Sequence, residues 1–385
     1  MKLHLRWGLV ALFALALPLA LGLWACSETT ENPTSPQLNQ ANTYSAELPV
    51  FAEAIGVQNR HVPDLLSTQG VAGSAVGADD RGRPVIRVYT LEALPQGRVP
   101  GVIEGYRVDQ VVTGPIVAHK GPPPMDGGGS TTDPRALQTP PVKMGTSGGW
   151  RYDLANGYCC GGTLGALITN GSGKYILSNY HVLYADIVNG GNNRSASPGD
   201  AVIQPGLIDV NCNANSAQNI GILVANGGSL PGAGVDCGIA LINGSVDASG
   251  AILNVGTISS GTLNASVGMK VKKMGRTTGL TRSSVDGING AFSITYENEC
   301  AGGTAFTETY TGQIVIKNRR CKFQDGGDSG SLLVEDVDTD PRAVGLCFAG
   351  SSICSNQSIA IANPIGDVLS HYGNELGGNW SMVGN

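Results

Sequence analysis

The chain has 385 residues, 56 of them glycine and only 14% charged, with a formal net charge of −6. So much glycine disfavours a helical bundle, because glycine weakens helix interiors, and points to a turn-rich, mainly β chain with room for two or three domains. The mild negative charge argues against nucleic acid as a partner, since phosphate binding needs concentrated Lys and Arg; with no Cys-x-x-Cys pair and five scattered histidines, no structural metal or other cofactor is expected.

Lys2 and Arg6 precede an uncharged run from Trp7 to Ala25. A basic start followed by an apolar core is an export signal, although the run is nearly long enough to serve as a membrane anchor. It ends in Leu23-Trp24-Ala25-Cys26. This resembles a bacterial lipobox, with Trp24 where a small residue is usual. The resemblance implies a lipoprotein-type signal segment over residues 1–26 ending at a lipidated Cys26, attachment to a membrane surface through acyl chains, and residence in the bacterial cell envelope, or else secretion. Ser27 at the following position implies the outer membrane where the host has one. Besides Cys26 there are eight cysteines, an even number that fits disulfides in an oxidising compartment. Cys347 with Cys354 and Cys300 with Cys321 are the expected local pairs, although spacing alone does not fix connectivity.

Residues 27–47 are polar and read as a flexible tether. Residues 48–120 read as a small α+β module: helical pieces from Leu48 to Leu66 interrupted at Pro63, then strands over Val71–Val76, Pro84–Tyr89 and Tyr106–Val112. His61 and His119 lie far apart in it and read as surface or capping residues. Residues 121–149, with three consecutive prolines and three consecutive glycines, read as a linker. From there to residue 385 the pattern becomes short β runs separated by Gly, Asn and Ser turns, enough for two small β-barrels. Ile365, Val368, Leu369 and Tyr372 recur at i, i+3, i+4 and i+7, one apolar face of a C-terminal helix.

The chemistry concentrates in Phe323-Gln324-Asp325-Gly326-Gly327-Asp328-Ser329-Gly330-Ser331. Glycines there permit a sharp turn that exposes a hydroxyl and the surrounding N–H groups, which suits a nucleophile with an oxyanion site; the bland alternatives are a glycine loop or an Asp-rich cation turn. A nucleophilic serine needs a base. His181, after the run Tyr175–Ser178, is the better placed of the two histidines in the β region; His371 belongs to the terminal helix. The base needs an orienting acid. Asp236 enters the apolar run Gly238–Ile242, where a buried carboxylate requires a partner; Asp200 is second, and Asp186 follows His181 too closely.

Gly-Asp-Ser-Gly at 327–330, Leu-Ser-x-x-His-Val at 177–182 and Gly-Arg-Thr-Thr-Gly at 275–279 together resemble trypsin/chymotrypsin-like serine peptidases of the bacterial type, over roughly residues 145–376. The resemblance implies a mainly β, two-barrel peptidase domain over residues 150–385, ending in a helix. It implies a catalytic triad of His181, Asp236 and Ser329, with Gly327 and Ser329 N–H groups as the oxyanion hole. It also implies that Phe348, Ala349 and Gly350 lie along the substrate, and that Phe323 takes the pocket-base position where trypsin has an acid, hence a non-tryptic preference for small or apolar side chains. Asp328 has no obvious new chain end to pair with and is expected to meet a basic side chain such as Arg276, or backbone N–H groups. The implied activity is a serine endopeptidase acting on peptide or protein substrates. The competing function is a peptide-binding lipoprotein of the same fold without turnover.

Overall fold

Branched apolar residues between glycine and asparagine turns form strands through most of the chain, as their fit to a pleated, half-buried surface requires. The computed structural model describes residues 43–118, 133–155, 158–184, 194–229, 232–296 and 305–385. Cys26, the rest of the signal segment, His119, Asp186 and Cys300 lie outside these residues. Among the described residues, no helix is long and apolar enough to cross a membrane.

The fold is mainly β, with two sheets and a C-terminal helix. In the first sheet eight described strands run in the order Ser381–Met382, Ala166–Thr169, Lys174–Ser178, Gly238–Ile242, Gln218–Gly228, Ala201–Gln204, Thr146–Trp150 and Gly162–Leu164. It wraps a core around Trp150, Leu167, Ile176, Leu177 and Ile239. The predicted helix is Ile365–Leu376, and its Ile365, Val368 and Tyr372 enter that same core.

In the second sheet the strands Lys270–Gly275, Leu332–Glu335, Ala343–Ser351, Ile359–Pro364, Phe306–Lys317 and Gly279–Tyr296 pair in turn. The last pairs back onto the first, Met274 opposite Leu280, so these six close into a barrel. Both faces of these strands are covered: Leu333 and Cys347 fill the barrel, while Leu332, Val334 and Leu346 pack in the core of the first sheet.

The segment expected as a separate α+β module is continuous with this second sheet. Strand Val71–Ala78 pairs antiparallel with Gly279–Tyr296, Gly73 opposite Phe292, and Pro84–Thr90, Tyr106–Val112 and Val102–Ile103 follow outward. The helix Pro49–Ser67 (α1) runs unbroken through Pro63, where interruption was expected. Pro63 lies on the exposed face, where water can take the carbonyl that its missing N–H leaves unbonded, while Phe51, Ala54, Val57 and Leu65 bury the opposite face. Gln58 fastens α1: its Nε2 donates to Ser74 Oγ and Asn289 O at 3.0 Å each, and its Oε1 accepts from Asn289 Nδ2 at 2.7 Å.

Two connecting stretches are shorter than the sequence suggests. Tyr44, inside the expected tether, bridges Val267 and stacks on Phe51 at 5.3 Å between ring centroids. Val142 and Met144, inside the expected linker, are buried in the first core, and strand Thr146–Trp150 joins the first sheet.

The cysteine pairing also differs. Cys159 bonds Cys212 and Cys321 bonds Cys354, whereas Cys237 and Cys347 are buried thiols. Cys347 sits mid-strand with its side chain in the core of the second barrel, while Cys354 is bonded to Cys321, so the short spacing between them misled. Desolvation pushes both thiols up to about 12, which keeps them neutral and inert.

Candidate active site

Strand Lys174–Ser178 pairs with Gly238–Ile242, Ser178 opposite Gly238. That register brings together the residue that leaves the first strand, His181 on the one-turn helix Tyr180–Leu183, and the one that enters the second, Asp236. His181 Nδ1 is 2.5 Å from Asp236 Oδ2, and both side chains are buried. Asp236 Oδ1 accepts the Tyr180 N–H at 2.8 Å. The backbone of Asp236 is fixed as well: its carbonyl accepts from Asn179 Nδ2 at 2.7 Å, and its N–H donates to Asn363 Oδ1 at 3.2 Å. A carboxylate withdrawn from water is tolerable only with such a full set of donors.

One donor to Asp236 was invisible in the sequence. Tyr296, at the end of a long strand of the second sheet, donates its hydroxyl to Asp236 Oδ2 at 2.9 Å. Its oxygen lies 2.7 Å from the Tyr310 hydroxyl on the next strand. Burial, and then the neighbouring Asp236 carboxylate, hold the Tyr296 phenol well above its ordinary value, so it stays a proton donor at working pH. The acid from one sheet is thereby held by a hydroxyl from the other. Asp200, the second contender, is engaged elsewhere: it accepts from Trp150 Nε1 at 3.0 Å and pairs with Arg194 at 2.5 Å.

Ser329 lies on the loop before strand Leu332–Glu335. Thr163 clamps this loop onto the first sheet. Its N–H donates to Ser329 O at 2.8 Å, its Oγ1 donates to Gly327 O at 2.9 Å, and its carbonyl accepts from Ser178 Oγ at 2.7 Å. A side chain on Gly162 would strike both Val182 and the Ser329 carbonyl, so the segments that carry base and nucleophile meet across this strand. Gly327 and Gly330 both sit at φ +91°. At Gly330 any Cβ would also run into Ser178 Oγ and Thr163 O, so glycine is required there on two counts.

Asp328 is the anchor of the loop, and its cation is not Arg276. Lys273 Nζ lies 3.1 Å from Asp328 Oδ2, with both side chains fully buried. Oδ1 accepts the N–H groups of Thr277 and Thr278 at 2.8 and 3.1 Å, and Oδ2 accepts Thr278 Oγ1 at 2.6 Å and the Asp325 N–H at 3.0 Å. Arg276 instead forms a buried fork with Asp209, at 2.5 and 2.8 Å. The loop is thus held by a lysine of its own barrel.

Phe348, Ala349 and Gly350 line the pocket beside Ser329, together with Val117, Asn318, Gln324, Asp325, Gly326 and Ser351. Phe323 does not. It turns into the core of the second barrel, with its ring 5.7 Å from the Lys273 ammonium. Counting back from the serine gave Phe323 the pocket base, but the chain turns at the 3-10 helix Arg319–Cys321 and its disulfide, and Gln324 and Asn318 face the pocket instead. Gln324 Nε2 donates to Ala349 O at 3.0 Å, which leaves its Oε1 buried without a partner.

Ser329 Oγ lies 3.3 Å from the Phe348 carbonyl, to which it donates, and His181 Nε2 is buried without a hydrogen-bond partner. The structure therefore brings His181 to Asp236 but does not join Ser329 to His181 by a hydrogen bond. Nucleophile–base contacts are often loose before substrate is bound. Among the described residues, no cluster of His, Cys, Asp and Glu could hold a metal ion.

The fold is thus mainly β, a closed barrel beside a second sheet, with a buried His181–Asp236 pair and a glycine-framed Ser329. Residues 214–363 match the family model of the Nal1 C-terminal domain, a range that includes Asp236 and Ser329 but not His181. Similar solved structures include a glutamic-acid-specific serine protease, 18% identical, covering 63% of this chain and 100% of that one, with a TM-score of 0.41. Protease A of Thermobifida fusca is 20% identical, covering 63% and 99%, with a TM-score of 0.40. The chymotrypsin of Cellulomonas bogoriensis is 19% identical, also covering 63% and 99%, with a TM-score of 0.39. No curated protein matches the chain.

Proposed function

We propose that this protein is a serine endopeptidase that cleaves peptide bonds through His181, Asp236 and Ser329. The observation that carries the reading is the buried His181–Asp236 contact, 2.5 Å, completed by Tyr180 and Tyr296, beside a serine loop fixed by Thr163 and Lys273. Rotation of Ser329 toward His181 Nε2 hands its proton to the imidazole as Oγ attacks the carbonyl carbon. Asp236 keeps the other ring nitrogen protonated and stabilises the imidazolium. The N–H groups of Gly327 and Ser329 receive the oxyanion. The imidazolium then protonates the leaving amine, and water repeats the sequence on the acyl-enzyme.

The pocket supports a non-tryptic preference. Gln324 and Asn318 are uncharged, and the carboxylate of Asp325 is exposed, with Oδ1 occupied by the Gly326 N–H. A small uncharged side chain fits, with the lone acceptor of Gln324 favouring one that carries a donor.

A fluorophosphonate should form one covalent adduct per chain, mapped by mass spectrometry to Ser329. Folded protein that stays unmodified after prolonged exposure would favour the second reading, a peptide-binding protein without turnover, to which the Ser329–Phe348 hydrogen bond lends support.

The proposal extends to an exported protein anchored by a lipid on Cys26, in keeping with disulfides Cys159–Cys212 and Cys321–Cys354. In detergent phase partitioning the full chain should enter the detergent phase and Cys26→Ser the aqueous phase. Equal partitioning of the two would end that part of the reading.

A further inference from the structure

The edge of strand Ala343–Ser351 beside Ser329 is already covered by a segment of the same chain. Strand Ile116–Ala118 runs antiparallel to it, Val117 opposite Gly350 and Ile116 opposite Ser351. Its other edge pairs in parallel with the end of the strand that carries Tyr296, Val117 opposite Thr295 and Ala118 opposite Tyr296. Val117 lines the Ser329 pocket. Ile116 and Ala118, two apart and so on one face, pack in the core that contains Tyr296 and Phe348. All three residues are buried.

We infer that these three residues are a tethered occupant of the peptide-binding edge. They mark the ligand as an extended peptide of small and branched apolar residues, and they hold the site closed until they are displaced. The inference rests on the endopeptidase reading for its consequence in catalysis, but not for the binding itself. An incoming strand would take the backbone pairing at Gly350 from Val117, and alternate side chains would enter the core face that Ile116 and Ala118 now fill. The occupant cannot be outcompeted cheaply, because it is present at the effective concentration of a covalently linked segment.

The test uses the full chain with Ser329→Ala, so that binding is read without turnover. A fluorescent peptide containing Ile-Val-Ala is titrated against this chain and against the same chain with Ile116→Asp and Ala118→Asp, which would place carboxylates in the apolar face. A milder pair, Ile116→Ser and Ala118→Ser, keeps the test alive if the aspartates unfold the sheet, as judged by circular dichroism. The opened chain should bind at least about 100-fold more tightly, the ratio expected if the free edge is populated in about 1% of intact molecules. Equal affinity for closed and opened chains, or no binding to a folded opened chain, overturns the inference. With Ser329 restored, the opened chain should take up fluorophosphonate faster by a similar factor. Peptide binding without any Ser329 adduct would count against the endopeptidase reading and leave the tethered occupant standing.

Discussion

Ser329→Ala is expected to lower kcat by about 10⁶-fold, His181→Ala by a similar factor, and the double variant by no more than either alone. The reason is that the two groups act in one event. The hydroxyl is a poor nucleophile unless the imidazole takes its proton, and the imidazole has no other task, so removing the second after the first removes nothing further. Asp236→Asn should lose about 10⁴-fold, because the amide can offer its N–H to Nδ1 and stabilise the tautomer that places a proton, rather than a lone pair, toward Ser329. Here the substitution also turns Tyr296 and the Tyr180 N–H from donors to an anion into donors to a neutral amide. These losses are to be measured as rates of peptide hydrolysis in one background, the chain with Ile116 and Ala118 replaced, so that occupancy of the edge does not mask them. Losses that multiply in the double variant would mean that Ser329 and His181 do not work as a unit.

The parts of the site carried by short motifs were legible in the sequence. Gly-Asp-Ser-Gly needs its glycines for local backbone reasons, visible in the positive φ of Gly327 and Gly330, and an acid at the start of an apolar run needs a buried partner, which Asp236 finds in His181. What escaped was whatever depends on strand register. Tyr296 reaches Asp236 across the interface of two sheets, 60 residues away in sequence, and Thr163 serves both Ser329 and Gly327 from a three-residue strand. Neither has a local signature. Phe323 was misplaced because a count back from Ser329 ignores the turn at Arg319–Cys321. Composition failed in a related way at residues 48–118. Their helix and strands read as self-sufficient, and only the pairing of Gly73 with Phe292 shows them continuing the barrel's sheet. The strand Ile116–Ala118 is too short to stand out from its surroundings, yet it covers the edge beside the nucleophile.

Lys273→Met is expected to destabilise the fold by about 3–5 kcal/mol, because it strands a charge that the structure cannot hydrate. Asp328 is fully buried, and Lys273 is the cation that balances it, bonded also to Thr278 Oγ1 and to Gly279 O at 3.2 Å. The melting temperature should fall on the order of 10 °C. Activity should fall further than the unfolded fraction accounts for, since the hydrogen bonds from Thr277, Thr278 and Asp325 to Asp328 orient the same loop that presents Gly327 and Ser329. Asp328→Asn alone should also be harmful, because it leaves the Lys273 ammonium buried beside a neutral amide. Combining the two should cost less than the sum of the single losses, since neither charge is then left alone, and the shortfall measures the coupling between them. Lys273→Met that melts like the parent and retains its acylation rate would show that backbone donors alone hold Asp328. In that case the loop could be reshaped freely without regard to the lysine beneath it.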